Sequence, residues 1–387
     1  MTQRLAVVTT AYRYQSHAQH LVDPFLTGYP RDGLWHRPDL RIVSLYADQK
    51  PDGDLSAPRA AEFGFRLYPA IAETLCCGGD KLAVDAVLIA AGHGQYPRNE
   101  KGQVLDPRYE FFAQCVDVFE RSRRTAPIYI YPHLSYSFEK ARWMADAALR
   151  LNFPLLAGSA LPVTWRLPDL ELPPGCGIED ALMVGAGGPD AVDDRALEAM
   201  QSMLERRRGG ETGVKAVCMI EGDEVWQAGR DGRWPPELLG AALSRSDTPQ
   251  GLTLQDGRPQ DLAANGELPK LVPKPAACFF EYRDGLRATL LMLTGAVRDF
   301  TFAARLKDLG ILSTQFLLTP EPNAPGSARL VRHIEEMFLT GRKPYPLERS
   351  LMVCGMLESC LDSRGQGSKR LETPHLDVQY QLPGHLL

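Results

Sequence analysis

Residues 5–26 read Leu-Ala-Val-Val-Thr-Thr-Ala-Tyr-Arg-Tyr-Gln-Ser-His-Ala-Gln-His-Leu-Val-Asp-Pro-Phe-Leu. Leu5 to Val8 form a short apolar run of the kind buried on both faces of a parallel sheet. Ala18, Leu21, Val22, Phe25 and Leu26 then recur at helical spacing, and Ser16 is placed to cap the helix. Pro24 cannot donate to the His20 carbonyl, so a kink or stop is expected near it. The strand–turn–helix rhythm repeats. Arg41 to Tyr46 reads as a second strand, residues 57–65 and 69–77 as two short helices, and Ala83 to Ala90 as a buried strand. Asp106-Pro107 opens a helix, with Asp as cap and Pro in the first turn, whose stripe is Phe111, Phe112, Cys115, Val116 and Phe119. Pro127 to Tyr131 is a strand, and Ser137 begins a helix carrying Ala141, Met144, Ala145 and Ala148. Regular alternation of this kind implies a Rossmann-like doubly wound parallel sheet with right-handed crossovers and a ligand crevice at the strands' carboxyl ends.

The rhythm changes after about residue 160. Ala181–Val184 and Val214–Ile220 read as strands flanking a helix at 193–208, whose end, Glu205 to Gly210, has the form of a basic C-terminal cap. Residues 244–275 are rich in Pro, Gly, Asp and Gln, the mark of a long excursion. Ala277–Tyr282, Asp284-Gly285 and Leu286–Leu293 spell a β-hairpin. Strands at 300–306 and 311–318 and helices at 327–340 and 347–362 follow. The expected second domain is α+β, with a large, mainly antiparallel open sheet. The boundaries read as 1–155 and 156–387, with a tail that could pack back on the first domain.

A chain of 387 residues suits two or three domains. Lys+Arg 43 against Asp+Glu 48 leaves a net charge of −5, so no basic footprint for nucleic acid or an anionic membrane is present. No apolar run approaches the roughly 20 residues of a membrane helix, and Leu5–Val8 is too short for a signal-peptide core. The eight cysteines include no C-x-x-C, which points away from a disulfide scaffold and towards a cytoplasmic protein.

A dinucleotide site normally places glycines directly after the first strand, where backbone N–H groups approach a pyrophosphate. Here the turn is Thr9-Thr10-Ala11-Tyr12-Arg13-Tyr14, without glycine. Thr9, Thr10, Tyr12 and, after the third strand, Gly92 are therefore the candidate cofactor contacts. Asp48, just after the second strand, stands where an acidic residue would bind ribose hydroxyls.

The run from Arg59 to Gly94 (RAAEFGFRLYPAIAETL…VDAVLIAAGHG) resembles the glucose–fructose oxidoreductase, inositol dehydrogenase and rhizopine-catabolism superfamily, Gfo/Idh/MocA. The later run at 344–362, PYPLERSLMVCGMLESCLDS, is similar to that family's returning helix. The resemblance implies a Rossmann domain followed by a domain whose open sheet mediates homo-oligomers. It also implies oxidation or reduction of sugars, cyclitols or related polar small molecules with NAD or NADP. The family's Glu-Lys-Pro motif falls at Tyr131-Pro132-His133, so Pro132 takes the lysine position, and its helical histidine falls at Arg195, with Glu198 nearby.

The residues themselves admit other chemistry. His17 and His20 stand three apart on the first helix, His93 lies in Gly92-His93-Gly94, and His133 follows the fourth long strand. On a doubly wound sheet all four, with Tyr136, map to the crevice edge. His133 or His93 could act as general base, since imidazole accepts protons near neutral pH. Alternatively, His17 and His20 could join His93 or His133 on a divalent metal such as Zn or Mn, in a hydrolase or lyase. A third reading is a catalytically silent binding subunit. Arg166, beside Trp165, could hold a substrate carboxylate or phosphate.

Overall fold

The computed structural model describes residues 2–187, 192–319 and 324–384. The chain runs β1 (Gln3–Thr9), α1 (His17–Thr27), β2 (Tyr29–Arg31), β3 (Leu34–His36), β4 (Leu40–Ala47), α2 (Ser56–Phe63), β5 (Arg66–Leu67), α3 (Ile71–Cys76), β6 (Ala86–Ala90), α4 (Arg108–Ser122), β7 (Ile128–Tyr131), α5 (Phe138–Leu151) and β8 (Leu155–Ala157). It continues through β9 (Arg166–Leu167), β10 (Ile178–Gly185), α6 (Asp194–Leu204), β11 (Val214–Glu221), α7 (Asp223–Arg230), α8 (Pro236–Leu243), α9 (Leu252–Asp256) and α10 (Leu268–Leu271). The remainder is β12 (Ala276–Tyr282), β13 (Arg287–Met292), β14 (Phe300–Leu306), β15 (Gly310–Phe316), α11 (Ala324–Thr340), α12 (Leu347–Gly365) and β16 (Leu371–Glu372). Two compact units result, 1–163 with 319–354, and 164–318 with 355–387.

In the first unit six parallel strands lie in the order β5-β4-β1-β6-β7-β8. The winding direction reverses between β1 and β6, which is where doubly wound sheets open their crevice. Successive residues of β1 serve opposite faces, as the period of two requires. Ala6 and Val8 pack with Leu75, Phe112, Phe119 and Met144, from α3, α4 and α5. Leu5 and Val7 pack with Leu21, Val22 and Phe25 of α1 and with Leu330, Val331 and Ile334 of α11. Residues 319–354, read from sequence as part of the second domain, therefore complete the first unit's core. Local periodicity announces such a helix but not the face that receives it.

The second unit holds an eight-stranded sheet, β16-β11-β12-β13-β10-β14-β15-β9. Its neighbours are antiparallel except for β10 and β13, because the β12–β13 hairpin is inserted between β11 and β10. Leu182, Val184, Ile220 and Leu291 of the sheet pack against Val225 of α7 and Leu238 and Leu239 of α8.

Three local expectations are corrected. Pro24 lies inside α1, which runs on to Thr27, where the Gly28 N–H closes the end on the Pro24 carbonyl at 2.9 Å. In the last turn a missing N–H interrupts little. Helix α4 starts one residue later than expected: Pro107 is its cap, and its carbonyl accepts from Phe111 N at 2.8 Å. Helix α6 ends at Leu204, short of the expected 208. Beyond it the buried Arg207 does cap the end, its guanidinium donating to the Leu204 carbonyl at 3.0 Å, and it also pairs with Glu211 at 3.1 Å and Asp284 at 2.7 Å. Among the described residues no helix is long and apolar enough to cross a membrane.

Glu335 of α11 fixes the first unit's late segment to its early one. Its buried carboxylate accepts from Tyr29 Oη at 2.6 Å and Asp39 N at 3.0 Å, and lies 2.9 Å from His36 Nε2. Glu335→Ala would leave the buried Tyr29 hydroxyl and the Asp39 amide without an acceptor. We expect a loss of about 2–4 kcal/mol in folding stability, read by urea denaturation of the full chain.

Candidate functional site

The crevice in the first unit is built from the turns that follow β1, β4, β6 and β7. The turn after β1 is closed by its own side chains. Thr9 is buried, and its hydroxyl donates to the Ala90 carbonyl at 2.7 Å, tying β1 to β6. Thr10 is buried too, and its Oγ1 has no hydrogen-bond partner. Tyr12 is fully buried in the core beside α1 and donates its hydroxyl to Asp23, which is also held by Arg59 at 3.0 Å. Burial first, and Asp23 second, push the Tyr12 pKa well above the ordinary phenol range. Thr9, Thr10 and Tyr12 were candidate cofactor contacts; here they are packed inward.

The start of α1 is satisfied from within the chain. Ser16 Oγ accepts from Gln19 N at 3.2 Å, and the Ser16 carbonyl accepts from His20 N at 3.1 Å. His17 N donates to His93 Nδ1 at 3.3 Å. The His17 ring packs edge-on against His93 and Tyr131, at 4.1 and 4.6 Å between centroids. The approach needs Gly92, whose φ is +133° and whose absent Cβ would stand 3.0 Å from His17 Nδ1. Because His93 Nδ1 accepts, the neutral ring carries its proton on Nε2. Burial, then Arg13 and His20, lower the His93 pKa, so the ring is a neutral donor rather than a base with a free Nδ1.

Asp48 is exposed at the carboxyl end of β4. Its two oxygens accept from Tyr46 Oη and Tyr96 Oη, both at 2.8 Å. Burial of the ring and the Asp48 contact push Tyr46 up to about 12. Gln49 fastens the same edge to the turn after β6, through Gln95 N at 2.9 Å and Gln95 O at 3.1 Å. Fixed by two tyrosines and still solvent-facing, Asp48 suits ribose hydroxyls. The turn after β1 does not suit a pyrophosphate, because Thr9, Thr10 and Tyr12 pack into the core and the His17, Gln19 and His20 amides already have acceptors. A dinucleotide thus meets a fitting ribose position and a phosphate cradle that does not fit.

After β7 the Tyr131-Pro132 peptide is cis. His133 Nδ1 lies 3.7 Å from Cys354 Sγ. Burial, and then the Arg108 guanidinium, hold His133 well below the ordinary imidazole value, against a backbone hydrogen bond at Ser135. Tyr136 accepts from Lys140 Nζ at 2.6 Å, and Lys140 also reaches Glu110 at 2.7 Å. Burial pulls the Lys140 pKa down, but the bonds to Glu110 and Tyr136 outweigh it and keep the ammonium charged. Sequence reading passed over Lys140, although its i, i+4 spacing from Tyr136 across the Ser137 cap was visible.

The expected metal set does not form: among the described residues no three His, Cys, Asp or Glu side chains gather in a way that could hold an ion. His17 is taken up by ring packing, and His133 faces a thiol. Arg195 belongs to the second unit, where it pairs with Asp193 at 2.6 Å and lies over the Phe300 ring at 5.3 Å. Arg166, in that unit too, is buried, bonded to the Thr164 carbonyl at 2.6 Å and stacked on Phe316.

No family model matches the sequence, and no curated protein matches it. Solved structures match its fold along nearly the whole length. GenD2 from gentamicin A biosynthesis, in complex with NAD, is 14% identical, with 96% of each chain covered and a TM-score of 0.58. The myo-inositol dehydrogenase of Lactobacillus casei, in complex with NAD(H) and myo-inositol, is 10% identical, with both chains fully covered and a TM-score of 0.58. An oxidoreductase of Agrobacterium radiobacter, in complex with NAD+, L-tartaric acid and magnesium, is 10% identical, with 96% of this chain and 98% of that one covered and a TM-score of 0.55. Strand order, the second sheet and this coverage together give the chain the two-domain fold of the Gfo/Idh/MocA-type dehydrogenases.

Proposed function

We propose that the protein is an oxidoreductase acting on a polar hydroxylated small molecule, a sugar, cyclitol or derivative, with NAD or NADP. The observation that carries the reading is Asp48, an exposed carboxylate fixed by Tyr46 and Tyr96 at the crevice edge of a fold shared end to end with dehydrogenases. On the substrate side, His133 is neutral at physiological pH and serves as the proton acceptor. The His93 Nε2–H is the donor to a substrate oxygen. The Tyr136 hydroxyl, with the Lys140 ammonium beside it, adds a second polarised donor. We place the protein in the cytoplasm, as a homo-oligomer through the open sheet of the second unit, without nucleic-acid or membrane partners.

Fluorescence titration of the full chain with NADH and NADPH tests the cofactor. Saturable binding of one of them, weakened about tenfold or more in Asp48→Ala, is expected. The reading is overturned if neither saturates, or if Asp48→Ala changes nothing.

His133 yields a pH prediction. A histidine kept neutral by the fold binds fewer protons than in the unfolded chain, so its share of stability is whole above about 6.5 and is lost as the pH falls below that towards the lowered folded value. Urea denaturation between pH 7 and 5 should show a shallower loss of stability in His133→Asn than in the parent. Equal slopes would remove His133 from the buried, neutral role given to it.

A further inference from the structure

A second concavity lies in the first unit, away from the crevice, where the sheet edge β5-β4-β1 meets the end of α3. It measures about 580 Å³ and is lined by Arg4, Arg41 and Arg66, with Val43, Tyr68 and Cys77 among its walls. The strand period explains why the arginines converge. Arg41 and Val43 are two apart on β4, and Tyr68, two beyond Arg66, continues the β5 pairing through its amide to the Leu45 carbonyl at 3.0 Å, so each pair leaves the same face. Arg4 of β1 is the register partner of Arg41. Val43 and Cys77 both pack at the margin of the core formed by α3, α4 and α5, which fixes the face.

Three guanidinium groups therefore share one hollow, and no acidic residue lines it. Among the described residues none of the three makes a side-chain ion pair. The nearby carboxylate of Asp85 is committed elsewhere: it accepts the Arg4 backbone N–H at 2.9 Å and the Arg124 guanidinium at 2.6 Å. Like charges on adjacent strands oppose one another, and a bound anion would relieve that. Guanidinium forks match the paired oxygens of phosphate groups, and the volume falls within the range of small-molecule sites, about 300–1,000 Å³. We propose that this hollow is an anion site for a small diphosphate-bearing molecule, with Arg4, Arg41 and Arg66 on the phosphates and Tyr68 and Val43 against its carbon part. The assignment is independent of the oxidoreductase reading, since Asp48 lies at the opposite, carboxyl end of the same strands.

Isothermal titration of the full chain with inorganic pyrophosphate, and in parallel with ADP, tests it. One saturable site is expected for pyrophosphate in the parent, and for ADP in Asp48→Ala, which removes the crevice ribose contact. Pyrophosphate affinity falls about tenfold or more in Arg41→Ala and in Arg66→Ala and changes little in Asp48→Ala or in Arg230→Ala, an arginine of the second unit. Arg41→Lys keeps the charge but not the fork, so a loss intermediate between parent and Arg41→Ala is expected. ADP binding tighter than pyrophosphate supports the wall assigned to Tyr68. Failure of both ligands to saturate overturns the proposal, and so does an equal loss in Arg230→Ala, which would mean diffuse attraction. Arg41 and Arg66 are exposed, so neither substitution removes core packing.

Discussion

The His17, Gln19 and His20 amides at the start of α1 find acceptors inside the protein, and much of the crevice follows from that. In a dinucleotide site those N–H groups are left for phosphate oxygens. Here His93 Nδ1 takes the His17 amide, and Ser16 takes those of Gln19 and His20. Such a helix start needs no anion, and the turn before it can carry bulk. Tyr12 fills that space and anchors to Asp23 and Arg59, while Thr9 locks the turn to β6. The closed turn is thus a coherent piece of structure with its own hydrogen-bond logic.

The fold was largely legible because its signals are local. Alternation of Leu5–Val8 with the stripe from Ala18 to Leu26, and its repetition to Ala148, required a wound parallel sheet; the Asp284-Gly285 hairpin stands where its turn residues put it. What stayed hidden depends on partners distant in the chain. The Glu335 carboxylate meets Tyr29, His36 and Asp39 about three hundred residues earlier, and no periodicity in α11 announces that meeting. Arg207 reads as a cap in Glu-Arg-Arg-Arg-Gly-Gly and does donate to the Leu204 carbonyl, but its second commitment, to Asp284 in a distant hairpin turn, could not be read there.

For the site, the sequence puts the candidate residues in the turns after β1, β4, β6 and β7, but does not show what their side chains touch there. Asp48 faces solvent at the end of β4, but the tyrosines that brace it, Tyr46 and Tyr96, could not be read from its position after a strand. His17 and His20 are correctly neighbours on α1, yet helical spacing cannot show that the His17 ring is spent on His93 and Tyr131. A metal needs lone pairs converging on one point, and edge-to-ring packing points them elsewhere. Lys140 was passed over because, alone, a lysine in a first helical turn is unremarkable; its meaning comes from Glu110, thirty residues earlier, and from Tyr136.

The glycines complete the account. The turn after β1 lacks them, whereas the turn after β6 has two, flanking a histidine, with φ of +133° at Gly92 and +138° at Gly94. A Cβ at Gly92 would press on His17 Nδ1, and one at Gly94 would come within 2.7 Å of the Tyr96 ring. Those are the two contacts that matter locally: the first lets His93 reach α1, and the second lets Tyr96 reach Asp48. Close backbone approach, which dinucleotide sites spend on a pyrophosphate, is used here to seat a histidine and a tyrosine. The turn after β6 thus seats His93 against α1 and lets Tyr96 brace the Asp48 carboxylate at the end of β4.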